Sequence, residues 1–76
     1  MIQEHEHVVL TADLPDDNLK VGDVGTVVHI YRDAAAYEVE FFRLDGATVA
    51  VATVTADHLR AVDARDILHT RPILAA

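Results

Sequence analysis

Several residue types that build secreted proteins, membrane proteins and hydrolases are missing or scarce in this sequence. It contains no cysteine, no serine and no tryptophan, and only one lysine among its 76 residues. Without cysteine the chain can form neither disulfides nor thiolate metal sites, which favours a reducing compartment. No apolar run approaches the roughly 20 residues of a membrane-spanning helix. The opening residues MIQEHEH lack the basic and apolar regions of a signal peptide, so we expect a single-domain cytoplasmic protein.

Positive charge is also scarce, and the formal net charge is -7. Residues 1–57 carry eleven carboxylates against three basic side chains, a balance of -8, whereas residues 58–76 carry three arginines against two aspartates, a balance of +1. An acidic body repels the phosphates of nucleic acids and the surfaces of anionic membranes, so we expect neither as a partner. The same charge favours plain solubility or a basic protein partner.

Stretches rich in β-branched residues predict a mainly β protein with five short strands. These strands are expected at residues 7–12, 25–31, 37–41, 47–55 and 59–62. In YEVEF the apolar residues Tyr37, Val39 and Phe41 alternate with Glu38 and Glu40. Strict alternation is typical of a strand with one buried face and one solvated face.

The connections between these strands carry their own signals. LPDDNLKVGD concentrates turn-forming residues and predicts one long exposed loop. TADH predicts a single helical turn before the fifth strand. Beyond it, DARDILHTRPIL predicts a short helix with Asp63 as N-cap, ended near residue 71 by Pro72.

Five strands, a long first loop and a helical turn before the last strand describe a small SH3-like barrel over residues 1–62. Residues 63–76 would form a helical tail packed on the barrel or on a partner. Such a barrel needs sharp bends, which glycine permits. The structural turn residues predicted are Gly22, Asp23, Gly25, Asp45 and Gly46.

Three stretches give the sequence a specific resemblance: EHEHVVLTADLP, KVGDVGTVVHIY, and AYEVEFFRLDGATVAVATVTADHLR. Together, over about residues 4–62, they resemble the bacterial domain-of-unknown-function family 4926. The resemblance implies an SH3-like barrel, a bacterial cytoplasmic origin, gene neighbours of toxin type and no catalytic residues. The Gly-Asp-x-Gly corner alone is also similar to corners in RNA-binding barrels and in nitrile hydratase β-subunits, which backbone geometry explains better than shared function.

Candidate catalytic and metal-binding groups are sparse. His5 and His7 are spaced to share one face of a strand, and a third metal ligand would have to come from His29, His58 or a carboxylate; we expect instead an exposed pair near the terminus. Glu38 and Glu40 are expected to form a solvated face rather than an acid–base pair. Four aromatic residues are too few for a base-stacking platform or a methyl-lysine cage. We expect no enzymatic activity, no cofactor and no metal.

A surplus of apolar residues points instead to a contact surface. An apolar outer face of the sheet is expected from Phe42, Ala50, Ala52 and Val54. The tail helix would cover this face with Ile67 and Leu68; otherwise the face would serve a homodimer or a contact with another protein.

The function expected from these features is that of a small non-catalytic protein-binding module. The acidic loop with Asp16 and Asp17 and the apolar tail would engage a protein partner, in the concrete form of an antitoxin or immunity role against a basic toxin. An accessory subunit or maturation factor of an enzyme, by analogy with the nitrile hydratase barrel, is the alternative. An RNA-binding barrel is a weaker alternative, because the net negative charge of the chain opposes binding to RNA phosphates.

Overall fold

A computed structural model, which describes residues 2–73, shows one antiparallel sheet of five strands. The strands are β1 (His7–Leu10), β2 (Val24–Ile30), β3 (Ala36–Phe42), β4 (Thr48–Thr55) and β5 (Leu59–Ala61). Short 3-10 turns cover Pro15–Asp17, Arg32–Ala34 and Ala56–His58. The mainly β prediction is confirmed, with strand ends displaced by only one or two residues.

The strand order in the sheet is β4-β3-β2-β1-β5. Within the described residues the outer strands β4 and β5 do not pair with each other, so the sheet does not close. The SH3-like barrel predicted over residues 1–62 is therefore confirmed as a five-stranded sheet but not as a closed barrel. In residues 2–73 no helix combines the length and apolarity needed to cross a membrane.

The core lies on one face of the sheet. Tyr37, Val39 and Phe41 are buried whereas Glu38 and Glu40 are not, which confirms the alternation predicted for β3. The buried cluster consists of Val8, Leu10, Leu19, Val27, Tyr37, Val39, Phe41, Ala52, Val54 and Leu59.

Strand β4 faces the opposite way from the prediction. Its residues Ala52 and Val54, expected on the outer face of the sheet, point toward the core. It pairs Val54 with Tyr37 of β3, and Ala52 and Ala50 follow in the same register. Directly paired residues of antiparallel strands point to the same side of a sheet. Ala52 and Val54 are therefore buried, and of the predicted outer face only Phe42 is exposed, at 46%. The prediction of Val54 as a partner-binding residue is wrong, because its side chain is inaccessible.

The predicted C-terminal helix is not confirmed in the described residues. Residues 63–66 form one turn, in which the Asp66 N–H donates to the Asp63 carbonyl, and no helix follows in residues 67–73. A helix this short is marginal in water unless an apolar face packs against the protein. Ile67 and Leu68 do not pack: each is 91% exposed. Residues 74–76 of the predicted tail lie outside the described part of the chain.

The long first loop is anchored rather than freely exposed. Leu19 is buried in the core cluster, and its backbone pairs with that of Leu14 on the other side of the Pro15–Asp17 turn. The sequence prediction missed this anchor because it weighed only the turn-forming residues around Leu19.

Candidate functional site

The Gly-Asp-x-Gly turn closes the first loop against β1. Gly22 has a φ of 95°, a left-handed conformation that glycine adopts without a steric penalty. Its N–H donates to the Leu10 carbonyl (2.9 Å), and the Leu10 N–H donates to the Asp23 carbonyl (2.9 Å). The Asp23 carboxylate accepts from the Lys20 N–H at 2.8 Å. Asp23 thus bonds its own turn, as the sequence predicts.

Gly25 has a different role from the bend assigned to it. Its φ is not in the left-handed region. A Cβ at this position would lie 2.5 Å from Val39 Cγ1, 2.9 Å from the Glu40 carbonyl oxygen and 2.9 Å from Phe41 Cδ2. Gly25 is therefore needed because β3 passes too close to admit a side chain.

Arg71 of the tail reaches this same turn. Its Nε donates to Asp23 Oδ1 at 2.9 Å and its Nη2 donates to Asp23 Oδ2 at 2.5 Å. The same Nη2 also donates to the Asn18 carbonyl at 3.1 Å. Two-point binding between a guanidinium and a carboxylate is the strongest form of such a pair. We call this contact the Arg71 clasp.

The ionisation of Asp23 reflects both its burial and its partners. Burial raises the pKa of Asp23, but the hydrogen bonds from Arg71 and the Lys20 N–H and the positive charges of both residues outweigh it and hold the pKa below its ordinary value of 3.8. The carboxylate therefore stays charged at neutral pH, which keeps the Arg71 clasp in place.

A second clasp holds the start of the tail. The Arg60 guanidinium of β5 donates two hydrogen bonds of 2.9 Å to the Asp66 carboxylate. That carboxylate also accepts from the Asp63 N–H at 2.7 Å. The Arg60 hydrogen bond, followed by that of the Asp63 N–H, lowers the pKa of Asp66 to about 2. The tail is thus fixed to β5 at one end and to the first loop at the other.

Between the two clasps lies a short segment, residues 67–70, that we call the tail strap. The recorded backbone hydrogen bonds among described residues include none from this segment. Its first two side chains, Ile67 and Leu68, are each 91% exposed. The strap therefore presents two aliphatic groups to solvent from a segment held at both ends.

The unpaired charge of the first loop, to which Arg71 ties the tail, is negative on balance. All three arginines of the C-terminal part are paired, as Arg60–Asp66, Arg65–Asp63 and Arg71–Asp23. In contrast, the exposed carboxylates of Asp16 and Asp17 have no recorded hydrogen bond or ion pair with any described residue. The arginines of the C-terminal part are neutralised within the chain, whereas the first loop keeps the two carboxylates of Asp16 and Asp17 against one lysine, Lys20.

The residues predicted as partner-binding fall into three places. Asp16 and Asp17 of the loop and Ile67 and Leu68 of the strap belong to segments that the Arg71 clasp joins. The other two lie elsewhere: Phe42 is exposed at the end of β3, and Val54 is in the core. Sequence reasoning missed the clasp, although the balance of +1 in residues 58–76, against -8 in residues 1–57, was a usable signal.

The described residues contain no cluster of side chains that could hold a metal ion. Within residues 2–73 no three histidine, aspartate or glutamate side chains cluster as metal ligands, and the pair His5 and His7 gains no third group. A shallow open depression beside β5 is lined by Arg60, Ala61, Asp63, Arg65 and Asp66. Its arginines and aspartates bind one another.

The Arg71 clasp should contribute measurably to stability. We expect a double-mutant cycle of Asp23→Asn and Arg71→Gln, followed by urea unfolding, to give a coupling energy of about 1–2 kcal/mol, because the pair is largely shielded from solvent. The matched cycle of Asp63→Asn and Arg65→Gln tests a pair whose arginine is exposed. It should give a much smaller coupling energy, and equal values from the two cycles would contradict the prediction.

Comparison with known families gave one match. A family model described as "Domain of unknown function (DUF4926)" matches residues 4–61. The searches of curated proteins and of solved structures each found no match. The matched range covers all five strands, the first loop and Asp23, and it ends before the tail that carries Arg71.

Proposed function

We propose, from the premise that this chain belongs to the DUF4926 family of domains of unknown function, that it is a small non-catalytic module that binds a basic protein. The sheet would curve into an SH3-like barrel that leaves β4 and β5 unpaired, and the protein would act in the bacterial cytoplasm. An antitoxin or immunity role is the concrete form of the proposal. Binding would use the tail strap and the acidic first loop together.

The exposed tail strap is the observation that carries this proposal. Burying a Leu or Ile side chain fully is worth about 1.5–3 kcal/mol, so Ile67 and Leu68 expose apolar surface that a partner would gain by covering. Binding also costs less when the binding segment is already held in place. The Arg60–Asp66 pair and the Arg71 clasp hold the strap at its two ends.

Charge supports a basic partner. Asp16 and Asp17 are exposed and without recorded partners among the described residues, whereas the nearby arginines are paired. Unpaired carboxylates beside an apolar contact speed the approach of a positively charged protein and orient it. A compact acidic chain of 8.3 kDa is also small enough to cover the active site of a basic toxin.

The test is capture of a companion protein from lysate of the source organism by four tagged forms of the full chain. We expect the Ile67→Ser/Leu68→Ser variant to retain at least tenfold less of the companion, with unchanged unfolding. The matched control Leu44→Ser removes another exposed leucine, 96% exposed at the β3–β4 hairpin. This control should still retain the companion protein. The Asp16→Asn/Asp17→Asn variant should bind with weaker salt dependence.

The outcome can contradict the proposal in two ways. Equal losses for the strap variant and for Leu44→Ser would show that apolar exposure in general, rather than the strap, drives capture. Recovery of the wild-type chain alone, with no stoichiometric companion in native mass spectrometry, would remove the basis for a binding module.

A further inference from the structure

The edge strand β4 offers a second interaction surface, at the opposite edge of the sheet from β5. Thr48–Thr55, with sequence TVAVATVT, contains no charged residue in a chain of net charge -7. Among described strands β4 pairs only with β3, so its other side is an open edge. Natural edge strands usually carry charges or proline that prevent pairing with another chain, and β4 carries neither.

The hydrogen bonds of β4 show which backbone groups face that edge. The Ala56 N–H donates to the Ala35 carbonyl at 3.0 Å, just beyond the pair Ala36↔Thr55. A bond in this position marks Ala36↔Thr55 as a non-hydrogen-bonded pair of the antiparallel ladder. The N–H and C=O of Thr55 therefore point away from β3.

The two kinds of pair alternate along an antiparallel ladder. The residues of β4 that bond to β3 are Val54, Ala52 and Ala50. The open-edge backbone groups then belong to Val51, Thr53 and Thr55. Below this stretch the register shifts between Phe41 and Phe42, so the regular part of the open edge is residues 51–55, and Thr53 is at its centre.

The side chains next to this edge fit a copy of the same strand. Val51 is 52% exposed on the outer face, opposite Glu40 of β3. The nearest carboxylate to Thr53 is that of Glu38, which accepts hydrogen bonds from Thr53 Oγ1 at 2.6 Å and from the Tyr31 hydroxyl at 3.1 Å. The hydroxyls of Thr53 and Tyr31 therefore hold the Glu38 carboxylate on the surface of the chain to which it belongs.

We propose that β4 pairs with β4 of a second copy of this chain, antiparallel and centred on Thr53, to form one continuous ten-stranded sheet. Thr53 of one chain would pair with Thr53 of the other, and Val51 of each chain would pair with Thr55 of the other. The two Glu38 carboxylates would lie three strand spacings apart, about 14 Å, beyond the roughly 8 Å screening length at physiological salt. A strand with charged side chains would find no counter-charge on β4, which favours self-pairing.

The test is the mass of the full chain in solution by sedimentation equilibrium, from about 5 to 500 μM. The wild type should rise from 8.3 kDa toward twice that mass. Thr53→Pro removes the outward N–H without removing a bond to β3, and should weaken the dimer at least tenfold. The control Leu44→Ser changes an exposed side chain outside β4, and should dimerise like the wild type.

Two further measurements distinguish failure of the β4 proposal from failure of the proposed function and from misfolding of a variant. Ile67→Ser/Leu68→Ser should dimerise normally; loss of the dimer in that variant would assign self-association to the tail strap and overturn the β4 proposal. In the wild type, amide exchange at Val51, Thr53 and Thr55 should slow at least tenfold between the lowest and highest concentrations. A chain that stays at 8.3 kDa at 500 μM, or a dimer without that protection, would also overturn it.

Discussion

Gly25→Ala is expected to lower the free energy of unfolding by about 3 kcal/mol, at the upper end of overpacking effects. The added Cβ would meet Val39 Cγ1 at 2.5 Å and the Glu40 carbonyl oxygen at 2.9 Å. The carbonyl belongs to the ladder between β2 and β3 and cannot move without weakening it. A chain of this size is stable by only about 4–11 kcal/mol, so we expect the melting temperature to fall by about 15 °C.

The matched control for this substitution is Gly46→Ala. Gly46 has a φ of 93° at the tip of the β3–β4 hairpin, and a Cβ there would meet nothing within 4 Å. Alanine at this position should cost only about 1–2 kcal/mol, through backbone strain alone. Thermal and urea unfolding of both variants separate the two causes. If Gly25→Ala costs no more than Gly46→Ala, the close approach of β3 is not what requires glycine at position 25.

Leu19→Ala should cost about 3 kcal/mol, because Leu19 is buried in the core and its truncation leaves a cavity that the neighbouring strands cannot fill. The loss should be accompanied by loosening of the first loop, since Leu19 is the residue that anchors it. Trypsin cleavage after Lys20, the only lysine of the chain, should therefore accelerate under native conditions. Urea unfolding and timed proteolysis measure the two effects.

Leu44→Ala provides the control, because it makes the same change at a side chain that is 96% exposed. It should change the free energy of unfolding by less than about 0.5 kcal/mol and leave cleavage at Lys20 unchanged. Similar stability for Leu19→Ala and Leu44→Ala would mean that the loop does not depend on its buried leucine.

What the sequence could predict was set by local periodicity. Alternation in YEVEF placed Tyr37 and Phe41 inside correctly, because a strand's two faces are fixed by the strand itself. The two faces of β4 could not be assigned this way, since TVAVATVT is apolar or small on both sides. Its orientation depends on pairing with β3, and that register placed Val54 rather than Val51 in the core.

The helix predicted in the tail was not found, for a related reason. A cap-like Asp63 and a terminating Pro72 were consistent with a helix, but whether Ile67 and Leu68 would find an apolar surface was a question of tertiary packing. The Asp23–Arg71 pair joins residues 48 positions apart, and nothing local to either residue announces such a contact. Local patterns thus predicted the strands, whereas the candidate site depends on contacts between distant segments.

The Arg71 clasp makes the first loop and the tail strap thermodynamically coupled. A partner that binds the strap only when the clasp is closed will strengthen the clasp, and strengthening the clasp will raise that partner's affinity by the same factor. A partner that must pull the strap away will instead be weakened by a stronger clasp. Asp23, a turn residue within the matched family region, would therefore modulate the affinity of a ligand that occupies the strap, outside that region, and distinguishes the closed clasp from the open one.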